Sequence, residues 1–543
     1  MSGLPSPGLQ RFLLDVGNAL RRGDMAAAMD YSEQAIRLGI EDPKFLSLAG
    51  QARIRNGQVD RAYPLFARAR ELAPNNVEVL NGLGICFALM GRPRESLAAF
   101  DDALTQSPDA MYLKLHRAQA LEDVGQLREA QTALEKILSV EPDNTQALER
   151  LANICARRGD MASARGNATR ALKLAPNPGA TIALVAAELA DKQFARALQL
   201  IAPLAADPKI GPINQSIALG LLGDALDGLE RAAEAFGAYV TAREVLRGSL
   251  DGMLKGQDSA IGRVRRVTSY FRTAPNDAWR ICDPVSAARQ TKTHVFLVGF
   301  PRSGTTLLEQ ALAGHRDVRT MEEVDCLGDT VGEFFYATDG MERFAALDQA
   351  ELAKLRSLYW QAVDATGAKT DRAVFVDKMP LSSVHQGLIA RLFPAAKILF
   401  TLRDPRDVVL SCFRRRLVMT AQMREFSTIG GAADFYDAVM ELAQIYRDRL
   451  GLQRLDVRHE DLVADFDGEM HRVCDFLDIG WDASISDFAA QVRTRDVKTP
   501  SAHQIVRGLN RDGVGQWRRF RAQLEPILPI LAPWAERFGY KDM

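Results

Sequence analysis

The run H-V-F-L-V-G at residues 294–299 passes directly into F-P-R-S-G-T-T-L-L-E-Q-A-L-A-G. A short apolar run of this kind suits a parallel strand buried on both faces. Gly299, Pro301 and Gly304 then predict a turn, and Leu307, Leu308, Ala311 and Leu312 recur at helical spacing from Thr305 onward. A strand, a glycine-containing turn and a helix start bring several backbone N–H groups to one point, where the positive end of the helix dipole adds to them. Arg302, Ser303, Thr305 and Thr306 supply further donors. The chemistry this predicts is the cradling of a phosphate-type anion. The spacing also satisfies the nucleotide-triphosphatase pattern G-x-x-x-x-G-K-[ST], but Thr305 stands where that pattern has its lysine, so the central cation for γ-phosphate chemistry is missing. The run A-V-F-V-D ending at Asp377 can imitate a magnesium-binding strand end. It reads equally as a polar strand terminus, which is the reading preferred here.

A second apolar strand, A-K-I-L-F-T at residues 396–401, runs into L-R-D-P-R-D-V-V-L-S-C-F-R-R-R. Arg403 at its end can give a bidentate guanidinium contact, and Ser411 follows eight residues on. P-R-S-G-T-T followed by a helix resembles the 5′-phosphosulfate loop of sulfotransferases. In that family an arginine at a strand end and a serine eight residues later hold the 3′-phosphate of 3′-phosphoadenosine 5′-phosphosulfate (PAPS), and Arg403 and Ser411 match that spacing. V-D-K-M-P, with Lys378 and Pro380, resembles the K-x-P of the protein-tyrosine sulfotransferase branch. R-H-E-D-L-V at 458–463 resembles the Y-E-x-L-V segment near the adenine, with His459 in the tyrosine's place. Q-I-V-R-G, followed by Trp517, resembles the late basic loop, with Arg507 on its lysine position. The five elements occur in order over about residues 291–520. The resemblance implies PAPS as co-substrate, bound by Arg302, Ser303, Gly304, Thr305, Thr306, Arg403, Ser411 and Arg507. No metal is expected, since the sequence has no H-E-x-x-H, no cysteine–histidine cluster and no carboxylate cage.

By analogy with phosphoryl transfer, sulfuryl transfer is an in-line displacement in which positioning and electrostatics do most of the catalysis. Arg302 and Lys378 are the candidates for stabilising the sulfuryl group and the departing phosphate. The nucleophile belongs to the acceptor, and a base must take its proton. The tyrosine-sulfating branch uses a glutamate in a G-E-E-like segment, and M-E-E-V-D supplies Glu322 and Glu323 here. Counted without gaps from Arg302, Glu323 falls on the base position. Glu322 is expected as a solvated carboxylate. Asp325 replaces the branch's next basic residue. His385 and His315 are rival bases, His315 also reading as a cap at the end of the loop helix.

These residues need a scaffold, and the chain before them is a repeat. Gly57, Gly91, Gly125 and Gly159 are each 34 residues apart, as are Pro74, Pro108, Pro142 and Pro176. Ala62, Ser96, Ala130 and Ala164 keep the same phase, and Phe66 with Phe100 and Ala69 with Ala103 extend it. Glycine closes a first helix through a left-handed residue, small residues let two helices approach, and proline ends the second. The pattern resembles the tetratricopeptide consensus over about residues 9–178. A further unit near Leu222, Gly223, Leu226, Ala235, Tyr239 and Ala242 brings the count to six or seven. His116, inside a repeat helix without ligand-spaced neighbours, reads as a packing or surface residue.

The architecture expected is therefore multidomain: an all-α tetratricopeptide solenoid at 1–249, a helical connector at 250–290, and an α/β P-loop-like parallel-sheet sulfotransferase domain at 291–543. The connector's basic run, Arg263, Arg265 and Arg266, is expected as a solvated face. Among 543 residues the formal net charge is -1, which gives no case for nucleic acid as partner. No stretch approaches the ~18 uninterrupted apolar residues of a membrane span. The six cysteines, Cys86, Cys155, Cys282, Cys326, Cys412 and Cys474, form no C-x-x-C pair. With no signal-peptide pattern at the start, a reduced, cytoplasmic setting is expected. The concave face of the repeats suits a protein or peptide partner. The function expected is sulfuryl transfer from PAPS to a hydroxyl acceptor, protein tyrosine among the candidates. The alternatives are a P-loop hydrolase or kinase and a non-catalytic repeat scaffold.

Overall fold

Gly57, Gly91, Gly125 and Gly159 sit at φ of 69°, 70°, 82° and 83°. They follow the helices Pro43–Arg55, Val77–Leu89, Met111–Asp123 and Thr145–Arg157, so each marks the left-handed turn between two paired helices. The second helices end at Leu72, Gln106, Val140 and Leu174, two residues before the periodic prolines. A computed structural model describes residues 7–253, 258–275, 279, 291–415, 424–488, 509 and 511–540. It divides into two compact units, Met1–Cys155 with Ala162–Ala180 and Ala156–Met161 with Thr181–Met543.

In the first unit, helix pairs run from Pro7–Arg21 with Met25–Arg37 to Thr145–Arg157 with Met161–Leu174. The interlock between them is a large residue driven into a glycine. A Cβ on Gly82 would lie 2.0 Å from the Phe66 ring, and one on Gly84 would lie 2.5 Å from the Phe100 ring. Both phenylalanines are buried, together with Ala62, Ser96, Ala130 and Ala164. His116 is a packing residue. Its Nδ1 lies 2.8 Å from Asn81 Oδ1, and its ring rests on Phe100.

From Thr181, inside the helix Pro178–Ala190, the second unit carries the rest of the pair with Phe194–Ala205 and then the pair Pro212–Gly228 with Ala232–Met253. In these pairs the left-handed turn is taken by Lys192 at φ 58° and Glu230 at φ 61°, which is why the glycine signal fades after residue 178. Tyr239 takes the phenylalanine's part, 2.3 Å from where a Gly223 Cβ would be. The helix Ala260–Thr273 follows and is packed into the α/β core through Val264, Val267 and Phe271. Its basic run is solvated only in part. Arg265 is exposed, but Arg263 is buried with its guanidinium 4.7 Å from the Tyr336 ring centroid. Arg266 bonds Asp258 Oδ2 at 2.7 Å and the Tyr336 carbonyl at 3.0 Å.

Five parallel strands form the sheet: β1 (Thr293–Gly299), β2 (Val318–Glu322), β3 (Val374–Lys378), β4 (Lys397–Leu402) and β5 (Gln453–Arg458), in the order β2-β3-β1-β4-β5. β1, β3 and β4 are covered on both faces, which explains their unbroken apolar runs. Val295, Leu297, Val376 and Leu399 pack against the helices Thr305–Gly314 and Phe466–Leu477. Phe296, Phe375, Ile398 and Phe400 pack on the opposite face with the helix Ile429–Arg449. The chain moves to opposite sides of β1 as it leaves for β2 and for β4, so a crevice opens at the carboxyl ends of these strands. Among the described residues, no helix is long and apolar enough to cross a membrane, and Cys86, Cys326, Cys412 and Cys474 are buried free thiols.

Candidate active site

The loop after β1 is strained and locked from below. Arg302 adopts φ 71° and Gly304 φ 103°. A Cβ on Gly304 would also lie 2.8 Å from His459 Nδ1, so glycine is required there by conformation and by space. Ser303 donates to the Phe300 carbonyl at 2.6 Å and its Oγ lies 2.6 Å from Thr401 Oγ1, tying the loop to β4. Ser303, Thr305 and Thr306 are all buried. The helix Thr305–Gly314 then begins with its first turn at the crevice.

β4 delivers Arg403 beside that loop. Arg403 Nη1 donates to the Arg302 carbonyl at 3.0 Å, and Nη2 donates to the Gly513 carbonyl. The next residue, Asp404, caps the helix Pro405–Arg414 by accepting from Arg406 N at 3.0 Å. Two turns along, Ser411 Oγ accepts from Arg302 Nε at 3.1 Å. The loop arginine, the strand-end arginine and the helix serine thus form one connected group. Asp407 on the same helix accepts from Gly515 N at 2.6 Å and from Trp517 N at 2.8 Å, seating the C-terminal segment against it. Arg507 lies outside the described residues.

β3 delivers two buried ionisable side chains to opposite faces. Lys378 is fully buried against the loop helix, with Nζ 2.9 Å from Glu323 Oε1, 3.6 Å from Glu322 Oε1 and 3.9 Å from Glu309 Oε2. Burial works against its charge, but Glu309, Glu323 and Glu322 together raise it above the ordinary lysine range. Glu309 is itself pushed up to about 7 by burial, opposed by Lys378. Glu322 therefore belongs to this cluster and is not the solvated carboxylate expected. Glu323 keeps its side chain 37% exposed, so an incoming group can reach it. Its backbone is held at φ 43° by donation from its N–H to the Lys378 carbonyl at 2.8 Å. Of the described non-glycine residues with positive φ, Arg302 and Glu323 both lie here, and strain of this kind concentrates at functional sites.

Asp377 points the other way. Its Oδ2 accepts from the Tyr359 hydroxyl at 2.8 Å, and that hydroxyl lies 3.0 Å from His294 Nε2. Asp377 is thus an interior strand residue on the face opposite the loop helix, which removes it as the metal-binding partner of a triphosphatase loop.

The histidines separate in the same way. His315 uses both ring nitrogens: Nε2 lies 2.7 Å from the Gly480 carbonyl, and Nδ1 accepts from Asp317 N at 3.0 Å. It is a cap. His385 is half-buried against the Phe335 ring, and burial followed by Arg263 lowers it to about 4. His459 lies over Gly304, and burial followed by Arg403 and Arg302 lowers it to about 3. Arg302 is lowered to about 10 by burial and then by Arg415 and Arg403, and keeps its charge at neutral pH. Sequence reasoning missed Glu309. Its signal was a carboxylate among the apolar positions of the loop helix.

The site is thus a strained, glycine-containing loop after β1 and a basic group after β4 on one parallel sheet. Residues 294–483 match the family model described as "Sulfotransferase family", and residues 48–110 and 115–181 match that described as "Tetratricopeptide repeat". An uncharacterized protein of Aquifex aeolicus (strain VF5) is 24% identical over 436 residues, covering 77% of this chain and 53% of that protein. The chain thus spans about half the length of that relative. Protein-tyrosine sulfotransferase A of Caenorhabditis elegans is 25% identical over 264 residues, 46% of this chain and 68% of that protein. Protein-tyrosine sulfotransferase 1 of Danio rerio is 23% identical over 260 residues, 45% of this chain and 72% of that protein. Among solved structures, a tetratricopeptide repeat protein from Parabacteroides merdae aligns at 15% identity and TM-score 0.36, covering 44% of this chain and 93% of that one. The part of the chain that carries the site is thus similar to the sulfotransferase family over residues 294–483, and helices before it are similar to tetratricopeptide repeats over residues 48–110 and 115–181.

Proposed function

We propose that the second unit transfers a sulfuryl group from PAPS to a hydroxyl acceptor. The observation that carries this reading is the convergence of three groups on one crevice: the Arg302 loop, the Arg403–Ser411 pair and the Lys378–Glu323 pair. The first two offer donors for two anionic groups, which suits a nucleotide bearing both a 5′- and a 3′-substituent. Arg403 Nε and His459 Nδ1 are buried there without hydrogen-bond partners among the described residues, as befits a polar ligand site. Gly304 leaves the space beneath His459 that a bulkier residue would fill.

In this reading the backbone N–H groups of the loop, with Ser303, Gly304, Thr305 and Thr306, hold the 5′-phosphosulfate, and Arg403 and Ser411 hold the 3′-phosphate. Arg507, matched to the family's basic loop, adds a further cation. Glu323 accepts the proton of the acceptor hydroxyl as its oxygen bonds to sulfur. The bond between sulfur and the bridging oxygen breaks, and Arg302 and Lys378 stabilise the charge that develops on the transferred group and the departing phosphate. The product is a sulfate ester and adenosine 3′,5′-bisphosphate. No step calls for a metal ion.

The tyrosine-sulfating relatives make a phenolic hydroxyl in a protein the acceptor favoured here, with the repeats recruiting the acceptor protein or a partner through their concave face. A reduced, cytoplasmic setting fits the buried free thiols Cys86, Cys326, Cys412 and Cys474. A thermal-shift comparison of adenosine 3′,5′-bisphosphate with ATP and GTP tests the nucleotide. The bisphosphate is expected to raise the melting temperature at concentrations above its Kd. Stabilisation by ATP or GTP without the bisphosphate contradicts the reading.

A further inference from the structure

The helix Pro405–Arg414 carries Ser411 and begins directly after Arg403, so its placement sets the distance between the two. Its carboxyl end has carbonyl groups without intrahelical partners, as every helix end does. Those carbonyls are met by a repeat residue. Arg243, buried in the helix Ala232–Met253, donates from Nε to the Phe413 carbonyl at 2.7 Å and from Nη2 to the Cys412 carbonyl at 3.3 Å and the Arg415 carbonyl. A cation at that end also complements the helix dipole.

The same repeat pair holds the side chains beyond. Arg414 pairs with Asp224 at 3.2 Å and with Asp227 at 2.9 Å, and Arg415 pairs with Asp224 at 2.9 Å. The Tyr239 hydroxyl donates to Asp224 at 2.9 Å, and Phe236 packs on Phe413 with ring centroids 5.4 Å apart. Arg414 and Arg415 lie within four residues of Ser411. A connection between Asp224 and Arg415 therefore reaches the Ser411–Arg302 bond through one turn of helix.

We propose that the last repeat pair, Pro212–Gly228 with Ala232–Met253, is a positioning element of the nucleotide site. Arg243 and Asp224 fix the helix that presents Ser411, so affinity for a 3′-phosphorylated nucleotide depends on a repeat. This rests on the assignment of Arg403 and Ser411 to the 3′-phosphate. It implies that a load placed on the terminal repeat, such as a partner engaging it, alters nucleotide affinity without touching the nucleotide. By linkage, the nucleotide alters the affinity of that partner equally.

The test is calorimetric titration of the full chain with adenosine 3′,5′-bisphosphate and with adenosine 5′-monophosphate, for wild type, Arg243→Gln and Arg243→Lys. Arg243→Gln is expected to weaken the bisphosphate roughly 5- to 30-fold and to leave the monophosphate nearly unchanged. Arg243→Lys, which keeps the cation at the helix end but loses the forked contact, should fall between. Should Arg243→Gln fail to fold, Asp224→Asn, which loosens Arg415, is measured in its place with the same expectation. A folded variant that keeps the full wild-type preference, or that weakens both ligands equally, overturns the positioning role. A wild-type chain that does not prefer the bisphosphate overturns the nucleotide assignment as well, a distinct result.

Discussion

Lys378 Nζ lies 2.9 Å from Glu323 Oε1, and the two residues stand at the ends of adjacent strands, joined also by the bond from Glu323 N to the Lys378 carbonyl. A fully buried cation thus holds a partly exposed carboxylate at the mouth of the crevice. Glu323→Gln keeps the shape and removes the proposed proton acceptor. It is expected to lower turnover by about 10²–10⁴-fold while leaving affinity for adenosine 3′,5′-bisphosphate within about twofold. Single-turnover transfer from labelled PAPS checks the first and calorimetry the second. Near-normal turnover would move the base to His385 or to another residue.

The other buried ionisable group of β3 gives a pH signature. Burial pushes the Asp377 carboxyl up to about 7, opposed by the Tyr359 hydrogen bond. The folded state therefore keeps a proton that the unfolded chain, with an ordinary carboxyl near 4, has already released. Stability from this site is fully present below pH ~4 and is lost as pH rises through about 7. Asp377→Asn does not titrate, so its stability relative to wild type should climb by on the order of 2–4 kcal/mol between pH 4 and pH 8. Urea unfolding of both proteins across that range is the measurement. A pH-independent difference would show that Asp377 is ionised in the fold.

In the repeats, the Gly82–Phe66 interlock predicts that Gly82→Ala destabilises the first unit. The new methyl would sit 2.0 Å from the Phe66 ring, and overpacking of this kind costs about 1–3 kcal/mol. Adding Phe66→Leu makes room and should recover part of the loss, a coupling that a double-mutant cycle of thermal unfolding measures. Additive effects would mean that the ring and the glycine do not meet.

Where the chain is cut should matter sharply. Leu226, Ala235 and Tyr239 share one core with Phe413 of the helix Pro405–Arg414 and Phe520 of the segment Gln516–Phe520. A chain beginning at residue 250 leaves those surfaces bare and is expected to aggregate or to lose its cooperative melt. A chain beginning at Pro178 retains them and should fold and bind adenosine 3′,5′-bisphosphate. Circular dichroism melts and light scattering of the two separate the outcomes, and equal behaviour would contradict the packing described.

The residues that lie close along the chain were legible in the sequence. The Arg302 loop, Arg403 with Ser411, and the 34-residue period are local patterns, because a strand, its turn and its helix are contiguous. Glu309 was not legible, because its meaning comes from Lys378, sixty-nine residues later by their numbers, arriving on the adjacent strand. Asp377 was read as a strand terminus because its partner, Tyr359, belongs to a helix on the other face. Arg243 and Asp224 carried no signal, since nothing local indicates that Arg243 will meet the end of the helix Pro405–Arg414 or that Asp224 will pair with Arg414 and Arg415. Lys192 and Glu230 hid the last turns by doing a glycine's work with a side chain.

The central claim is that Arg403 and Ser411 recognise a 3′-phosphate. Calorimetric titration with adenosine 3′,5′-bisphosphate and adenosine 5′-monophosphate, in wild type and in Arg403→Ala, tests it most directly. A charged hydrogen bond of this kind is worth about 1.5–3 kcal/mol. Wild type should therefore bind the bisphosphate roughly 10- to 150-fold more tightly than the monophosphate, and Arg403→Ala should remove most of that preference while keeping the monophosphate affinity. A preference that survives intact in Arg403→Ala, or that is absent from wild type, would contradict the account.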